Sequence, residues 1–343
     1  MNKKPLVSVV TITYNHELYI SKTIDGVLMQ NCDFDIEFII ANDNSIDKTD
    51  LVIKEHLKKN KIPENIKIGY SNHDENKGMM DNFIWALGKA EGKYIALCEG
   101  DDYWTDPLKL QKQVDILEEN EEYVATFHQV SQLNFNGNIE EPKDIENYST
   151  DFFGAIQGAF GRNTLSTVVK KEAINFDLLE KSRKSKIGDI YVMVGASLKG
   201  KGFVINDNMG MYRHHVGGAS KNYNPLFYYQ SRVGIFEYIE ENLNESDERK
   251  AFYRAFATRF AKQELVWIVK SGNFHLLKSI LRKYNFYRQL SKTNTLTFEE
   301  TLFREQFRKN HKTMKLSFLD TIKAVFKFIT RKHYINKFDS PYA

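Results

Sequence analysis

The segment Cys98-Glu-Gly-Asp-Asp-Tyr-Trp104 places three carboxylates within four positions, directly after the apolar run KYIALC. Like charges this close repel one another, so the segment is either a solvated turn or a place where a cation belongs. Carboxylate oxygens suit Mg²⁺ and Mn²⁺, and such ions are commonly shared between protein carboxylates and substrate phosphates. The cluster therefore raises the hypothesis of a divalent cation that brings a diphosphate with it.

Two further polar clusters, TYN at 13–15 and NDNS at 42–45, also follow apolar runs rich in β-branched residues. Over the first 120 residues, such runs alternate with segments whose apolar residues recur at helical spacing. This alternation predicts a mainly parallel sheet with helices on both faces. Ligands of these sheets bind outside the carboxyl ends of the strands, so the three clusters are expected to meet at one edge. The predicted strands are 6–13, 34–42, 65–71 and 93–98, and the predicted helices are 16–30, 45–59 (with Ser45 as N-cap) and 79–90.

Later segments form shorter predicted elements. Strands are expected at 123–135, 164–171 and 203–207, and helices at 107–119, with Asp106 as its cap, and 188–200. The compact part is expected to end between Lys221 and Pro225. After Pro225 the pattern predicts helices, in a stretch that is rich in aromatic residues and then becomes basic.

Composition limits the class of protein. With 343 residues, 42% of them hydrophobic and 27% charged, the chain is expected to be globular and soluble. The first apolar run is too short for a signal peptide, and no run is long enough to span a bilayer. Cys32 and Cys98 lie far apart and fit neither a disulfide framework nor a zinc site, so a reducing cytoplasm is the expected location.

Several familiar nucleotide or hydrolase sites are disfavoured by the motifs. The first strand is followed by TYNHELYI, which has no glycine where a dinucleotide pyrophosphate would approach the backbone. The sequence has neither the glycine spacing of a P-loop nor a Gly-x-Ser-x-Gly elbow. What remains is a site rich in Asp and Asn.

Six motifs in order carry a resemblance to a known family: VSVVTITYN, IIANDNS, NKG, AEGKYIALCEGDDYW, KIGD and YRHHVGGAS. Together they closely resemble the family 2 glycosyltransferases, inverting enzymes of the GT-A fold that use nucleotide-diphosphate sugars. The resemblance implies a catalytic domain at 1–222, with a nucleotide-binding half at 1–120 and an acceptor half at 121–222. It leaves 223–343 as a helical, basic C-terminal region.

The resemblance also implies roles for individual residues. The implied nucleotide-binding set is Thr13, Tyr14, Asn15, Asp43, Asn76, Gly78 and Asp101. The implied ligands of Mn²⁺ or Mg²⁺ are Asp101, Asp102 and His215. Asp189 of KIGD stands where the family has its catalytic base. Three positions depart from the family pattern, namely Ile12 for a proline, Asn42 for the first of two aspartates and Glu99 for the first aspartate of the DxD region.

Each of these residues has a purely structural alternative. Asp101 and Asp102 could belong to a surface turn, Asp43 to an Asx-turn and Asp189 to a helix start. His215 could be a solvated loop residue. Trp104 could be core or a wall against which a sugar stacks, whereas Trp85 has the helical spacing of a core residue.

Charge is distributed unevenly along the chain. From Ala251 onward there are 19 Lys/Arg and 6 Asp/Glu, against 29 and 39 in the preceding residues. Within LSFLDTIKAVFKFITRK, apolar residues fall on one helical arc and basic residues opposite. Such a helix can lie on an anionic membrane, or its apolar face can pack within the tail. No nucleic-acid recognition motif accompanies the charge.

The expected function is transfer of a sugar, with inversion, from a UDP-sugar to a glycan or lipid-linked acceptor in bacterial surface polysaccharide assembly. The enzyme is expected in the cytoplasm, peripheral to the inner face of the membrane. One alternative is a non-catalytic nucleotide-sugar-binding or scaffold subunit. Another, a nucleic-acid-binding protein, would have to explain an acidic body with a metal site.

Overall fold

In the computed structural model, the described residues are 5–151, 163–184 and 187–218, together with Ile235, Tyr238, Glu241 and Asn242. Contacts divide the chain into two units, residues 1–223 and 224–343, and every element named below belongs to the first. The amphipathic arc predicted for the tail lies outside the described residues. No helix in this described part combines the length and the apolar character that crossing a bilayer requires.

The first half of the fold alternates strands and helices, as predicted. Its elements are β1 (Val7–Thr13), α1 (Ile20–Leu28), β2 (Ile36–Asn42), α2 (Thr49–Lys59), β3 (Ile66–Asn72), α3 (Met79–Lys89) and β4 (Tyr94–Leu97). β1 is buried at all of its seven positions, which explains its unbroken apolar and β-branched sequence. The mainly parallel sheet flanked by helices is confirmed in this half.

The pairing of the strands aligns their carboxyl ends. Thr13, the last residue of β1, pairs with Asn42 at the end of β2, and Asn42 pairs with Asn72 at the end of β3. β4 pairs with β1 on its other side, also in parallel, and ends opposite Val10. The loops that follow these strands therefore leave from one edge of the sheet, as the sequence predicted.

The second half adds strands in both directions. Its elements are β5 (Tyr103–Trp104), α4 (Lys109–Glu119), β6 (Tyr123–Leu133), β7 (Ile139–Glu140), β8 (Tyr148–Thr150), β9 (Val168–Lys170), α5 (Phe176–Lys181), α6 (Gly188–Ser197) and β10 (Lys201–Arg213). The sheet order is β3-β2-β1-β4-β9-β6-β10-β5. β9 is antiparallel to both of its neighbours, whereas β6 and β10 are parallel.

Several predicted boundaries are wrong, and polar contacts explain two of them. α1 begins at Ile20 and α2 at Thr49, each four residues later than predicted. Ser45 is not the N-cap of α2; the Asp47 carboxylate accepts the Thr49 amide hydrogen at 2.9 Å instead. The residues before each helix are occupied by hydrogen bonds between the two loops, so they cannot join a helix.

Other elements differ in length. β10 runs over 201–213 rather than 203–207, and the predicted strand at 164–171 is a short 3₁₀ turn followed by the three residues of β9. Trp104 is 2% exposed and its indole N–H donates to the Leu165 carbonyl at 2.8 Å, so it belongs to the core and cannot stack on a sugar. Trp85 is only partly buried, its ring lying edge-on to His73.

Candidate active site

The loop after β1 (14–19, loop 1) and the loop after β2 (43–48, loop 2) are tied together. The Asn15 amide donates to Ser45 Oγ at 2.9 Å, and Asn15 Oδ1 accepts from the Ile46 amide at 3.0 Å. Asn15 has a φ of 57°, a left-handed conformation that asparagine tolerates better than most residues. Two predicted polar clusters therefore form one hydrogen-bonded rim, from which Tyr14 projects with 41% exposure.

Asp43 joins the predicted NKG motif to this rim. Its two carboxylate oxygens accept the amide hydrogens of Lys77 at 2.7 Å and Gly78 at 2.9 Å, and Asn76 donates to its carbonyl at 2.9 Å. The side chain is buried, and it does not form the Asx-turn that would begin α2. Three predicted nucleotide-binding residues, Asp43, Asn76 and Gly78, are thus in direct contact. The Asp43 carboxylate also binds the NKG segment to loop 2, a structural role that the sequence alone did not indicate.

The acidic segment follows β4 and lies directly on the end of β1. The Gly100 amide donates to the Ile12 carbonyl at 2.9 Å. A Cβ at position 100 would stand 2.5 Å from Thr13 Oγ1, a distance that real Cβ atoms do not adopt, so glycine is needed for this close approach. The backbone thereby brings Glu99 and Asp101 to the edge where loop 1 begins.

Asp102 is the most deeply buried acid of the segment, with 1% exposure. Its Oδ1 accepts the Arg213 amide hydrogen at 2.8 Å, while its Oδ2 is buried without a hydrogen-bond partner among the described residues. Burial, reinforced by Asp101 and Glu99, raises the pKa of Asp102 well above its ordinary range. A buried, orphaned carboxylate oxygen calls for a proton or a cation.

Asp101 faces two histidines. Its Oδ2 lies 2.9 Å from His215 Nε2 and 3.8 Å from His16 Nε2. Burial opposes ionisation of this carboxyl, but the two histidines hold its pKa below the ordinary value. His215, a predicted metal ligand, is therefore not a solvated loop residue, since its side chain is only 9% exposed.

Glu99 and Asp189 interact across the site. Burial, followed by the charges of Asp101 and Asp189, raises the pKa of Glu99 to about 8. Asp189 lies in the first turn of α6, where its Oδ1 accepts the Ile190 amide hydrogen at 2.9 Å. The start of this helix is close to α3, because a Cβ on Gly188 would lie 2.6 Å from Met80 Cε. Asp189 is therefore both a helix-start residue and a neighbour of the acidic segment.

The donor groups fit a divalent cation. Two sets have ligand atoms that all lie within 4.8 Å of one another: His16, Asp101 and His215 form one, and Glu99, Asp101 and Asp102 form the other. Asp101 belongs to both sets. Carboxylate and imidazole groups together suit Mn²⁺ and related ions, whereas carboxylates alone suit Mg²⁺.

Sequence reasoning missed three residues of this site: His16, Tyr19 and Arg213. The Tyr19 ring is 4.5 Å from that of His215. The Arg213 guanidinium lies 4.4 Å from the centre of the Tyr103 ring and donates to the Asp101 carbonyl at 2.7 Å. For His16, the only signal in the sequence was its position directly after the predicted Tyr14 and Asn15. For Arg213, the signal was its position directly before His214 and His215.

Comparison with sequences identifies the relatives of this chain. The model of the family described as Glycosyl transferase family 2 matches residues 8–182. An uncharacterised protein of Mycobacterium tuberculosis is 33% identical over 214 residues, which are 62% of this chain and 60% of that protein. The putative teichuronic acid biosynthesis glycosyltransferase TuaG of Bacillus subtilis is 38% identical over 118 residues, covering 34% of this chain and 44% of TuaG. The chain thus spans about three fifths of the first of these relatives.

Solved structures share the fold at low sequence identity. S. aureus TarS in complex with UDP-GlcNAc has a TM-score of 0.56 and 16% identity, covering 85% of this chain and 91% of that one. The mannosyltransferase PcManGT of Pyrobaculum calidifontis, in complex with GDP-Man and Mn²⁺, has a TM-score of 0.54 and 15% identity, covering 96% and 87%. These likenesses confirm the predicted GT-A class of fold.

Proposed function

Since the chain belongs to glycosyl transferase family 2, we propose that it transfers a sugar from a UDP-sugar to a hydroxyl of a glycan or lipid-linked saccharide. The observation that carries this proposal is a cluster of side chains at the carboxyl edge of a GT-A sheet. In this cluster, Asp101 lies beside His215 and Glu99, and Glu99 interacts with Asp189. The relative TuaG, named for teichuronic acid biosynthesis, supports a role in surface polysaccharide assembly, and TarS, solved with UDP-GlcNAc, supports a UDP-linked donor.

The nucleotide is proposed to bind the rim formed by loops 1 and 2. Thr13, Tyr14 and Asn15 form one side, and Asp43 with the Asn76–Gly78 segment forms the other. An ionised carboxylate has about four lone-pair sites, of which the two loop amides use two, so Asp43 keeps acceptor capacity for a ring N–H of the base. The hydrogen bonds between the loops orient these groups before the nucleotide arrives.

The diphosphate is proposed to lie beside Asp101 and His215. Asp101 is the carboxylate that points toward the histidines, while Asp102 is buried behind it and holds the Arg213 amide. A divalent ion, Mn²⁺ or Mg²⁺, would be held by Asp101, together with His215 on one side or Asp102 on the other, and would supply positive charge to the departing UDP. The unpartnered Oδ2 of Asp102 supports a nearby positive charge.

Asp189 is proposed as the general base. Its carboxylate takes the proton of the acceptor hydroxyl while that oxygen forms a bond to the anomeric carbon of the sugar. The bond between this carbon and the diphosphate oxygen breaks on the opposite face, so one displacement inverts the configuration. The Ile190 amide at 2.9 Å orients the carboxylate for this proton transfer.

The cellular setting is also part of the proposal. A UDP-sugar donor and a lipid-linked acceptor would place the enzyme in the cytoplasm, at the inner face of the membrane. The basic residues after 250 would supply electrostatic attraction to anionic lipids.

The test is UDP release from a panel of UDP-sugars, with and without Mn²⁺, in the presence of a glycan acceptor. We expect one UDP-sugar to release UDP in a metal-dependent reaction that EDTA abolishes and that Asp189→Asn reduces. Binding of UDP-sugars without any turnover would identify a scaffold subunit instead. Absence of both binding and turnover with UDP-, GDP- and dTDP-sugars would contradict the proposed reaction.

A further inference from the structure

His16 stands beside the predicted cation ligands although no role was predicted for it. Its Nε2 is 3.8 Å from Asp101 Oδ2, which is too long for a hydrogen bond. The ligand atoms of His16, Asp101 and His215 nevertheless all lie within 4.8 Å of one another. Two ligands held about 2.1 Å from one ion are separated by about 3 to 4 Å, depending on the angle at the ion. The 3.8 Å between His16 Nε2 and Asp101 Oδ2 falls within that range, whereas His215 Nε2 is hydrogen-bonded to the same oxygen at 2.9 Å and would exchange that bond for the ion.

Thr13 fixes the orientation of the His16 ring. Thr13 Oγ1 lies 3.2 Å from His16 Nδ1, at the buried end of β1. When this hydroxyl oxygen accepts the Nδ1 proton, the lone pair of the imidazole is on Nε2, the atom that faces Asp101. Hydrogen bonds to the second ring nitrogen orient metal-binding histidines in this way.

The three groups come from three segments that are fixed without an ion. The His16 amide donates to Thr49 Oγ1 at 2.8 Å, which anchors loop 1 to α2. Asp101 is held through Gly100 against β1, and the His215 ring packs against that of Tyr19, with ring centres 4.5 Å apart and the planes tilted by 46°. The rings of His16 and His215 also meet edge-on at 5.8 Å. The ligand set is therefore organised in advance.

We propose that His16, Asp101 and His215 form a preformed cation site with two nitrogen ligands and one oxygen ligand, selective for Mn²⁺ or Co²⁺ over Mg²⁺. Imidazole nitrogen suits transition-metal ions, whereas Mg²⁺ prefers oxygen ligands. The competing set of Glu99, Asp101 and Asp102 offers oxygen ligands alone, the type that Mg²⁺ prefers. The inference rests on the proposed function, because the donor diphosphate is what the bound ion would serve.

The experiment measures metal alone, without nucleotide, on the full-length chain. Titration with Mn²⁺ while free Mn²⁺ is followed by electron paramagnetic resonance should give about one bound ion. We expect His16→Ala to weaken binding by about tenfold or more, the scale seen when metal-site residues are removed. A tenfold excess of Mg²⁺ should leave the ion in place, and Co²⁺ should give a visible absorption spectrum that His16→Ala changes.

Matched variants separate the two ligand sets. His214→Ala is the control, because His214 Nε2 is paired with Gln132 Oε1 at 2.9 Å and belongs to neither set; it should bind Mn²⁺ like the unaltered protein. Glu99→Gln should also have little effect. Thr13→Val, which replaces the hydroxyl with a methyl group of similar size, should weaken binding less than His16→Ala and keeps the test valid if His16→Ala does not fold.

Three results would overturn the inference: no Mn²⁺ binding without nucleotide, unchanged affinity in both His16→Ala and Thr13→Val, or loss of affinity in Glu99→Gln instead. Metal-dependent UDP release in a protein that binds no Mn²⁺ by itself would leave the proposed function intact and remove the preformed site. Conversely, His16-dependent Mn²⁺ binding without turnover of any nucleotide-sugar would support the site and contradict the transferase proposal.

Discussion

At the scale of single residues, the three carboxyl groups of the acidic segment have different surroundings. Asp102 is buried and accepts a hydrogen bond from the Arg213 amide. Asp101 faces two histidines, and Glu99 interacts with Asp189. Their pKa values differ because burial disfavours the charged form of all three carboxyl groups, whereas the two histidines favour the charged form of Asp101. One short motif thus contains carboxyl groups whose pKa values are shifted in opposite directions, which its sequence does not distinguish.

Asp189→Asn tests the proposed base. The amide has nearly the same shape but cannot take a proton from the acceptor, so turnover should fall by about a hundredfold or more while UDP-sugar affinity stays within about twofold. The measurement is initial UDP release together with calorimetric binding. Asp177→Asn is the matched control, because Asp177 also lies in the first turn of a helix but is exposed. Near-normal turnover in Asp189→Asn would move the base elsewhere.

Glu99→Gln tests the effect of burial on stability. Burial and neighbouring charges raise the pKa of Glu99 from 4.5 to about 8 in the folded protein. The folded state therefore holds this proton more tightly than the unfolded chain, and the resulting stability is full below about 4.5 and is lost as the pH rises toward 8. In EDTA, the melting temperature of the unaltered protein should fall relative to that of Glu99→Gln between pH 5 and 8. Parallel pH profiles of the two proteins would show that the folded pKa is ordinary.

At the scale of elements, the site depends on how closely three loops approach the end of β1. The late starts of α1 and α2 leave loops 1 and 2 free to bond to each other, as in the contact of the Asn15 amide with Ser45. The acidic segment reaches the same edge because Gly100 has no side chain to hold it away from Thr13. Loop geometry, more than the strands themselves, therefore determines which polar groups meet.

Gly100→Ala tests this close approach. The added methyl group would collide with Thr13 Oγ1 at 2.5 Å, so the acidic segment must shift. We expect a loss of about 1–3 kcal/mol in the free energy of unfolding, the usual cost of overpacking, and weaker binding of Mn²⁺ and UDP. Denaturant unfolding and calorimetry measure the two effects. Gly69→Ala, at a position in β3 with no atom within 4 Å of the added Cβ, is the control and should change little.

At the scale of the whole molecule, charge and chemistry are separated along the chain. All of the described site residues precede residue 219, whereas the 19 Lys/Arg and 6 Asp/Glu from Ala251 onward give that part a strong positive charge. Donor chemistry and attachment to an anionic surface are therefore expected to be separable. The separation follows from the sequence alone, since the tail lies outside the described residues.

Deletion of residues 315–343 tests the proposed attachment. The shortened protein should still release UDP from its donor with a water-soluble acceptor but should lose binding to liposomes that contain anionic lipid. Binding of the full chain should also weaken as salt is raised, because exposed charges are screened beyond about 8 Å at physiological ionic strength. Aggregation of the shortened protein would mean that the apolar arc packs internally, and undiminished liposome binding would assign the contact to another surface.

The fold class, and the edge of the sheet at which the site lies, could be predicted from the amino-acid sequence. Unbroken apolar runs such as that of β1 specify buried parallel strands, and the polar residues that follow them must emerge at the strands' carboxyl ends. Which side chains come together at that edge could not be predicted in this way and is seen in the folded chain. Helix starts, the burial of Asp102 and the positions of His16 and Arg213 depend on contacts between residues 30 to 112 positions apart, which no local pattern encodes.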